Sequence, residues 1–218
     1  MLLFLFSLVA GFSGSDKNAT LLCLGDSYTI GQSVSADERF PEQTVALLNN
    51  EGIAVDAPVI IARTGWTTQN LIDAVEQKNI DHTFDYVTLL IGVNDQFQGK
   101  DIGVYEKNFE QLLRTAIQYA GKKADHVFVL SIPDYGITPF AQYGRQAPQQ
   151  ISAEIDKFNA VNKKIAEKYK VNYIDITPIS RKATADNTLL AGDGLHPSGK
   201  MYGLWAELLA DYIEKIRH

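Results

Sequence analysis

The sequence predicts a three-layer α/β/α sandwich built on a mainly parallel sheet of five strands. Three observations support this. Five apolar runs of strand length recur along the chain, bounded by Gly, Pro, Asn or Asp. The segments between them carry apolar residues at helical spacing, and this alternation is the pattern of a parallel sheet covered on both faces. No internal repeat, low-complexity tract or linker divides the chain, so its 218 residues suit one medium domain, expected to span residues 16–218.

The first apolar run is Leu21-Leu22-Cys23-Leu24, which stops abruptly at Gly25-Asp26-Ser27. Such a run reads as a buried strand, and ligands in open α/β sheets sit just beyond the carboxyl ends of strands. Ser27 therefore stands where chemistry is expected, although Asp26 and Ser27 taken alone read equally well as caps of a following helix. A helix follows over 41–50, with Pro41 near its start and Gly52 as its stop. The second strand is expected over 53–62, at a sheet edge because Pro58 lacks a ladder donor. It ends in Thr64-Gly65-Trp66-Thr67-Thr68, where Thr67 or Thr68 caps a helix running to about Gln77.

The third strand, 86–91, ends in the loop Gly92-Val93-Asn94-Asp95. Phe109, Leu112, Leu113, Ala116, Ile117 and Ala120 then mark an amphipathic helix, and 127–130 the fourth strand. The stretch 132–148 reads as a long loop, functional or a plain surface excursion, with exposed-looking Tyr135, Phe140 and Tyr143. A helix over 151–169, a short fifth strand over 171–176 and a last helix from Met201 to Ile216 complete the pattern, with Met201 and Trp205 assigned to the core. Before that last helix lies the glycine-rich Ala191-Gly192-Asp193-Gly194-Leu195-His196-Pro197. Pro197 suits a first helical turn, which puts His196 at the helix entrance with Asp193 three residues upstream. Asp-x-x-His is weak by itself and also describes a capping Asp beside an incidental His.

Composition narrows the function. A net charge of -6 without a Lys/Arg cluster argues against nucleic acid as a partner, since phosphate binding needs concentrated positive charge. The one cysteine, Cys23, lies inside the first strand and is assigned to the core. No second His at ligand spacing and no Cys cluster accompany His196, so no metal site is expected. His82 and His126 precede strands, at the opposite end of the sheet from these loops, and His218 ends the chain; all three are read as surface residues. Leu2 to Ala10 is apolar except for Ser7 and is followed by Ser13-Gly14-Ser15. Residues 1–15 thus look like a secretory leader or N-terminal extension, too short to span a bilayer comfortably and lacking a basic residue ahead of the apolar run. Export, to a periplasm or the exterior, is the expectation; a cytoplasmic protein with an extra N-terminal strand or tether is the alternative.

Nucleophilic acyl transfer needs a hydroxyl, a base, a group that orients the base, and donors aimed at the developing oxyanion. Together the four loops can supply each. Ser27 would attack, His196 would act as base and then acid, and Asp193 would orient the imidazole. The N–H groups of Ser27 and Gly65 and the amide of Asn94 would form the oxyanion hole.

The blocks Gly25-Asp26-Ser27, Gly65, Gly92-Val93-Asn94-Asp95 and Asp193-Gly194-Leu195-His196-Pro197 resemble, in order and spacing, those of the SGNH-hydrolase (GDSL esterase/lipase) superfamily. The resemblance covers the chain from about Thr20 onward. It implies a flavodoxin-like sandwich, hydrolysis of esters or thioesters without a cofactor, an oxyanion hole of Ser27, Gly65 and Asn94, and a triad completed by Asp193 and His196. Tyr28 departs from the Leu of the family's name motif, which leaves substrate choice open. Thr29 stands where a Gly-x-Ser-x-Gly elbow would end, which disfavours an ordinary α/β-hydrolase.

Tyr28, Trp66, Phe97, Tyr135 and Phe140 are the candidate pocket residues. They suggest short to medium acyl, aryl or lysophospholipid esters; alternatively, aromatic rings stack on sugar in a carbohydrate O-acetyl esterase. A small-molecule or carbohydrate ester is thus the expected partner, without stable membrane insertion. A non-catalytic binding module, and a flavin or phosphate binder using the first loop, are weaker alternatives, the latter because Asp26 would repel phosphate.

Overall fold

A computed structural model describes residues 17–144 and 146–217. The expected leader, 1–15, and His218 lie outside the described residues. Five strands, β1 (Leu21–Gly25), β2 (Val59–Ala62), β3 (Tyr86–Leu90), β4 (Val127–Leu130) and β5 (Asn172–Ile174), form one sheet in the order β2-β1-β3-β4-β5. Every pairing is parallel, with Cys23 beside Ile60 on one side and Thr88 on the other. β1 and β3 are buried along their whole length, which is why both read as continuous apolar runs.

The helices are α1 (Ser27–Ile30), α2 (Phe40–Asn50), α3 (Thr68–Lys78), α4 (Val93–Phe97), α5 (Ile102–Tyr119), α6 (Pro148–Tyr169), α7 (Thr177–Arg181) and α8 (Gly199–Ile216). α2 packs on α8 to form one layer, and α3, α5 and α6 pack successively to form the other. Met201, Tyr202, Trp205, Leu209 and Ile213 of α8 are each at most 1% exposed. Each contributes about 1.5–3 kcal/mol by burial, so this stripe is a main anchor of its layer. The chain leaves β1 toward β2 on one side and returns to β3 on the other. The crevice between the ends of β1 and β3 is therefore the topological switch point, where open sheets of this kind bind ligands.

Several boundaries differ from the sequence expectation. β2 begins only at Val59, after Pro58; Val55 makes a single bridge to Ala19 instead of extending the strand. β5 is trimmed to three residues, and α8 starts at Gly199 because Ser198 takes the N-cap, its side chain accepting from the Met201 N–H. Pro197 accordingly precedes the helix. Val93–Phe97, expected as loop, is the short helix α4.

The segment 132–148 is no simple excursion. It contains two 3-10 turns, Tyr135–Ile137 and Pro139–Tyr143, and Tyr135 is only 4% exposed. Asn159 of α6 accepts from the Ile132 N–H at 2.7 Å and donates to the Ile132 carbonyl at 3.0 Å, while Ser180 Oγ accepts from the Asp134 N–H at 2.9 Å. Phe140 and Tyr143 are exposed as expected. At the other end of the sheet His82 is exposed, whereas His126 is half-buried, stacked on Tyr86 and bonded through Nδ1 to the Asp85 carbonyl.

Candidate active site

The ends of β1, β2 and β3 and the loop before α8 each deliver one part of the site. Gly25 closes β1 so tightly that a Cβ there would lie 2.5 Å from the Leu90 carbonyl. Asp26 then caps α1, its Oδ1 accepting the Tyr28 N–H at 3.0 Å, and Ser27 opens the helix. The capping reading of this pair is thus correct for Asp26 and compatible with a reactive Ser27. As the first helical residue, Ser27 has a backbone N–H with no intrahelical acceptor.

His196 reaches Ser27 from the loop before α8. Its Nε2 lies 3.1 Å from Ser27 Oγ and its Nδ1 2.6 Å from Asp193 Oδ2. Ser27 and His196 are 5% and 6% exposed, so this contact is sheltered from water. The loop is closed by its own side chain: Asp193 Oδ1 accepts the N–H groups of Leu195 at 3.0 Å and His196 at 2.9 Å. Asp193 therefore caps the turn with one oxygen and meets the imidazole with the other. Partial burial opposes its charge, but hydrogen bonds from Ser33, from the His196 ring and from the two backbone N–H groups outweigh that. They hold the Asp193 carboxyl well below the usual carboxylate range. Tyr28 packs edge-on against the His196 ring, with centroids 5.7 Å apart.

A cavity of about 200 Å³ opens above Ser27, and Gly65, Asn94 and His196 line it too. Gly65 has φ +80, and a Cβ there would meet nothing within 4 Å, so the demand for glycine is conformational. Asn94, in α4, donates one amide hydrogen to the Trp66 carbonyl at 3.0 Å and retains a second. Asp95 next to it is buried and accepts the Thr68 N–H at 2.8 Å and the Thr68 hydroxyl at 2.7 Å, which ties the β3 turn to the start of α3.

Of the candidate pocket residues, Tyr28, Phe97, Tyr135 and Phe140 line the cavity and Trp66 does not. Trp66 contributes its backbone carbonyl to Asn94, while its ring packs against the core. A second cavity of about 620 Å³ shares Phe97, Tyr135 and Phe140 with the first. Two residues beside the site escaped the sequence reading. Gln32 lines the cavity and accepts a hydrogen bond from Thr64, and Ser33 Oγ donates to Asp193 Oδ2 at 2.6 Å. Neither has a sequence signal, since both are common polar residues whose partners lie far along the chain. Among the described residues no cluster of three His, Cys, Asp or Glu is arranged to hold a metal ion, and no helix is long and apolar enough to cross a membrane.

An all-parallel sheet of this order, with a serine hydroxyl and an imidazole meeting at its switch point, defines the class of three-layer SGNH hydrolases. The chain belongs to the GDSL-like lipase/acylhydrolase family, whose sequence profile matches residues 23–204. Members of that family hydrolyse carboxylic esters. No curated protein sequence matches the chain significantly. Solved structures do. TesA superposes with a TM-score of 0.71 at 17% identity, covering 90% of this chain and 98% of its own. The lipase/acylhydrolase from Enterococcus faecalis has a TM-score of 0.69 at 21% identity, covering 90% and 96%. An acetylxylan esterase from Geobacillus stearothermophilus gives 0.67 at 23% identity, covering 89% and 94%. At such identities the likeness is one of fold.

Proposed function

We propose that residues 16–218 form one hydrolase domain that cleaves carboxylic esters of short to medium acyl chains through an acyl-enzyme on Ser27. The observation that carries this is the imidazole of His196, held between Ser27 Oγ at 3.1 Å and Asp193 Oδ2 at 2.6 Å. Ser27 Oγ attacks the carbonyl carbon while its proton passes to His196 Nε2. Asp193 accepts the Nδ1 proton throughout, keeping Nε2 aimed at Ser27. The oxyanion is met by the N–H groups of Ser27 and Gly65 and by the free amide hydrogen of Asn94. The alcohol leaves with the proton from Nε2. Water then gives a proton to Nε2 and attacks the acyl carbon, and collapse returns that proton to Ser27 as the acid departs.

A cavity of about 200 Å³ walled by Tyr28, Val93, Phe97, Tyr135, Phe140 and Leu195 suits a short or medium acyl group, and aryl and lysophospholipid esters fit the same apolar walls. A carbohydrate O-acetyl esterase is the second reading. Phe97, Phe140 and Tyr143 are 56%, 40% and 90% exposed around the larger cavity, as rings that stack on sugars would be. One protein of the same fold is an acetylxylan esterase. The apolar stretch from Leu2 to Ala10 supports export.

The test is hydrolysis of p-nitrophenyl acetate, butyrate, octanoate and palmitate by the wild type and by Ser27→Ala. Turnover should fall by about 10⁴-fold or more in the variant. The wild type should prefer butyrate or octanoate; a site restricted to acetate favours the carbohydrate reading. Absence of Ser27-dependent turnover on every ester would sink the hydrolase assignment.

A further inference from the structure

Among the described residues, four that are not glycine have positive φ: Ser33, Asn79, Lys122 and Lys170. Asn79 and Lys170 are the left-handed C-caps of α3 and α6, and Lys122 closes α5 through its N–H to the Ile117 carbonyl. Ser33, at φ +71, ends no helix; α1 is already closed by Gly31, at φ +66. A side chain at such a φ is strained, and a glycine there would not be. What the side chain does is therefore the question.

Its hydroxyl donates to Asp193 Oδ2 at 2.6 Å, across 160 residues of sequence. That oxygen is the one that meets His196 Nδ1, also at 2.6 Å. With Leu195 and His196 N–H groups on Oδ1, the Ser33 bond completes four donors on one carboxylate, the full acceptor capacity of the group. The preceding residue, Gln32, accepts from Thr64 beside Gly65, so adjacent side chains of one strained turn hold two of the other loops of the site. The two left-handed residues, Gly31 and Ser33, fold the chain back from α1 and bring both side chains to those loops.

We propose that Ser33 is a positioning residue: its hydroxyl fixes the plane of the Asp193 carboxylate and, through it, aims the His196 imidazole at Ser27. The proposal rests on the hydrolase reading given above. Three donors on Asp193 come from its own turn, and these hold it only as well as that turn is held; Ser33 anchors it to the segment that carries the nucleophile. The strained backbone at Ser33 and the bond from its hydroxyl to Asp193 occur together.

The experiment compares Ser33→Gly, Ser33→Ala and Ser33→Asn with the wild type and Ser27→Ala on p-nitrophenyl butyrate. The downfield imidazole N–H proton resonance of the His196–Asp193 bond is read by NMR in the same samples. Glycine adopts φ +71 freely, so Ser33→Gly removes the hydroxyl without adding strain and remains a fair test where Ser33→Ala unfolds. Ser33→Gly should lower kcat by about tenfold, since small displacements of a catalytic group cost up to about a hundredfold, and leave KM unchanged. Its downfield resonance should broaden or shift. Asparagine tolerates the left-handed region and offers an amide donor, so Ser33→Asn should recover part of both signals. Wild-type kcat with an unaltered resonance in Ser33→Gly would overturn the proposal, as would a rise in KM alone. Absence of Ser27-dependent turnover in the wild type would refute the hydrolase reading instead, and the resonance would still decide whether Ser33 orders the pair.

Discussion

At the scale of single residues, the site depends on side chains that serve two purposes at once. Asp193 stiffens its own turn with Oδ1 and meets His196 with Oδ2, so the weak Asp-x-x-His spacing describes both a cap and an orienting carboxylate. Asn94 likewise uses one amide hydrogen to grip the Trp66 carbonyl, and in the proposed hydrolase the other is the oxyanion donor. Asn94→Ala should therefore lower kcat by about a hundredfold to a thousandfold, the cost of losing one oxyanion donor, with little change in KM. A kcat within a factor of a few of wild type would remove Asn94 from the oxyanion hole. The loops that bring Ser27, His196 and Asp193 together were legible in the sequence because glycine and proline mark them. Trp66 differs from the expectation of a pocket wall: its ring lies outside the cavity lining, and its backbone carbonyl accepts from Asn94. Ser33 gave no sign at all, because an exposed serine is distinguished only by the conformation it adopts.

Between elements, the loops of the proposed oxyanion donors are held by a tie that periodicity cannot reveal. Asp95, at the start of α4, receives both the N–H and the hydroxyl of Thr68 at the start of α3. Burial pushes the Asp95 carboxyl up, and the two bonds from Thr68 pull against that. Asp95→Ala should cost about 1–3 kcal/mol in urea unfolding, because it strands the buried Thr68 N–H, and Thr68→Val should cost less by removing only the hydroxyl. Equal stability of wild type and Asp95→Ala would show the tie to be dispensable. The long elements were readable from spacing, but α4 and α7 were not, since five residues hardly exceed one turn and carry no periodic signal. The ends of β2 and β5 moved for similar reasons: apolar residues flanking a strand continue the pattern after the ladder has stopped.

For the molecule as a whole, the switch point puts a carboxyl group where a carboxylate is costly. Burial pushes Asp26 from 3.8 up to about 8, with the nearby Asp95 adding to the shift and the Tyr28 N–H opposing it. The sign follows from proton counting. Between those values the folded chain holds a proton that the unfolded chain has lost, so stability falls as pH rises across that window. The loss is at most about 1.4 kcal/mol per pH unit from this one group. Asp26→Asn carries no such proton, so between pH 5 and pH 8 its urea midpoint should drop less than that of the wild type. Parallel behaviour of the two would mean that Asp26 is already ionised when folded. In the proposed hydrolase, a neutral Asp26 would also keep negative charge away from the oxyanion that develops on the substrate carbonyl oxygen beside Ser27.

The layers, the alternation of strand and helix and the loops that carry Ser27, Asn94, Asp193 and His196 can all be read along the chain. Burial and periodicity are local properties, and the apolar spacing records them residue by residue. That Ser27 lies 3.1 Å from His196, that Ser33 reaches across 160 residues to Asp193, that Asp95 binds Thr68 and that segment 132–148 is packed are visible only in the folded molecule. Those contacts join residues distant in sequence, brought together by the order in which the strands pair and the helices pack on them. A hydrogen bond depends on distance and direction in space, which the identity of two residues along a chain does not specify.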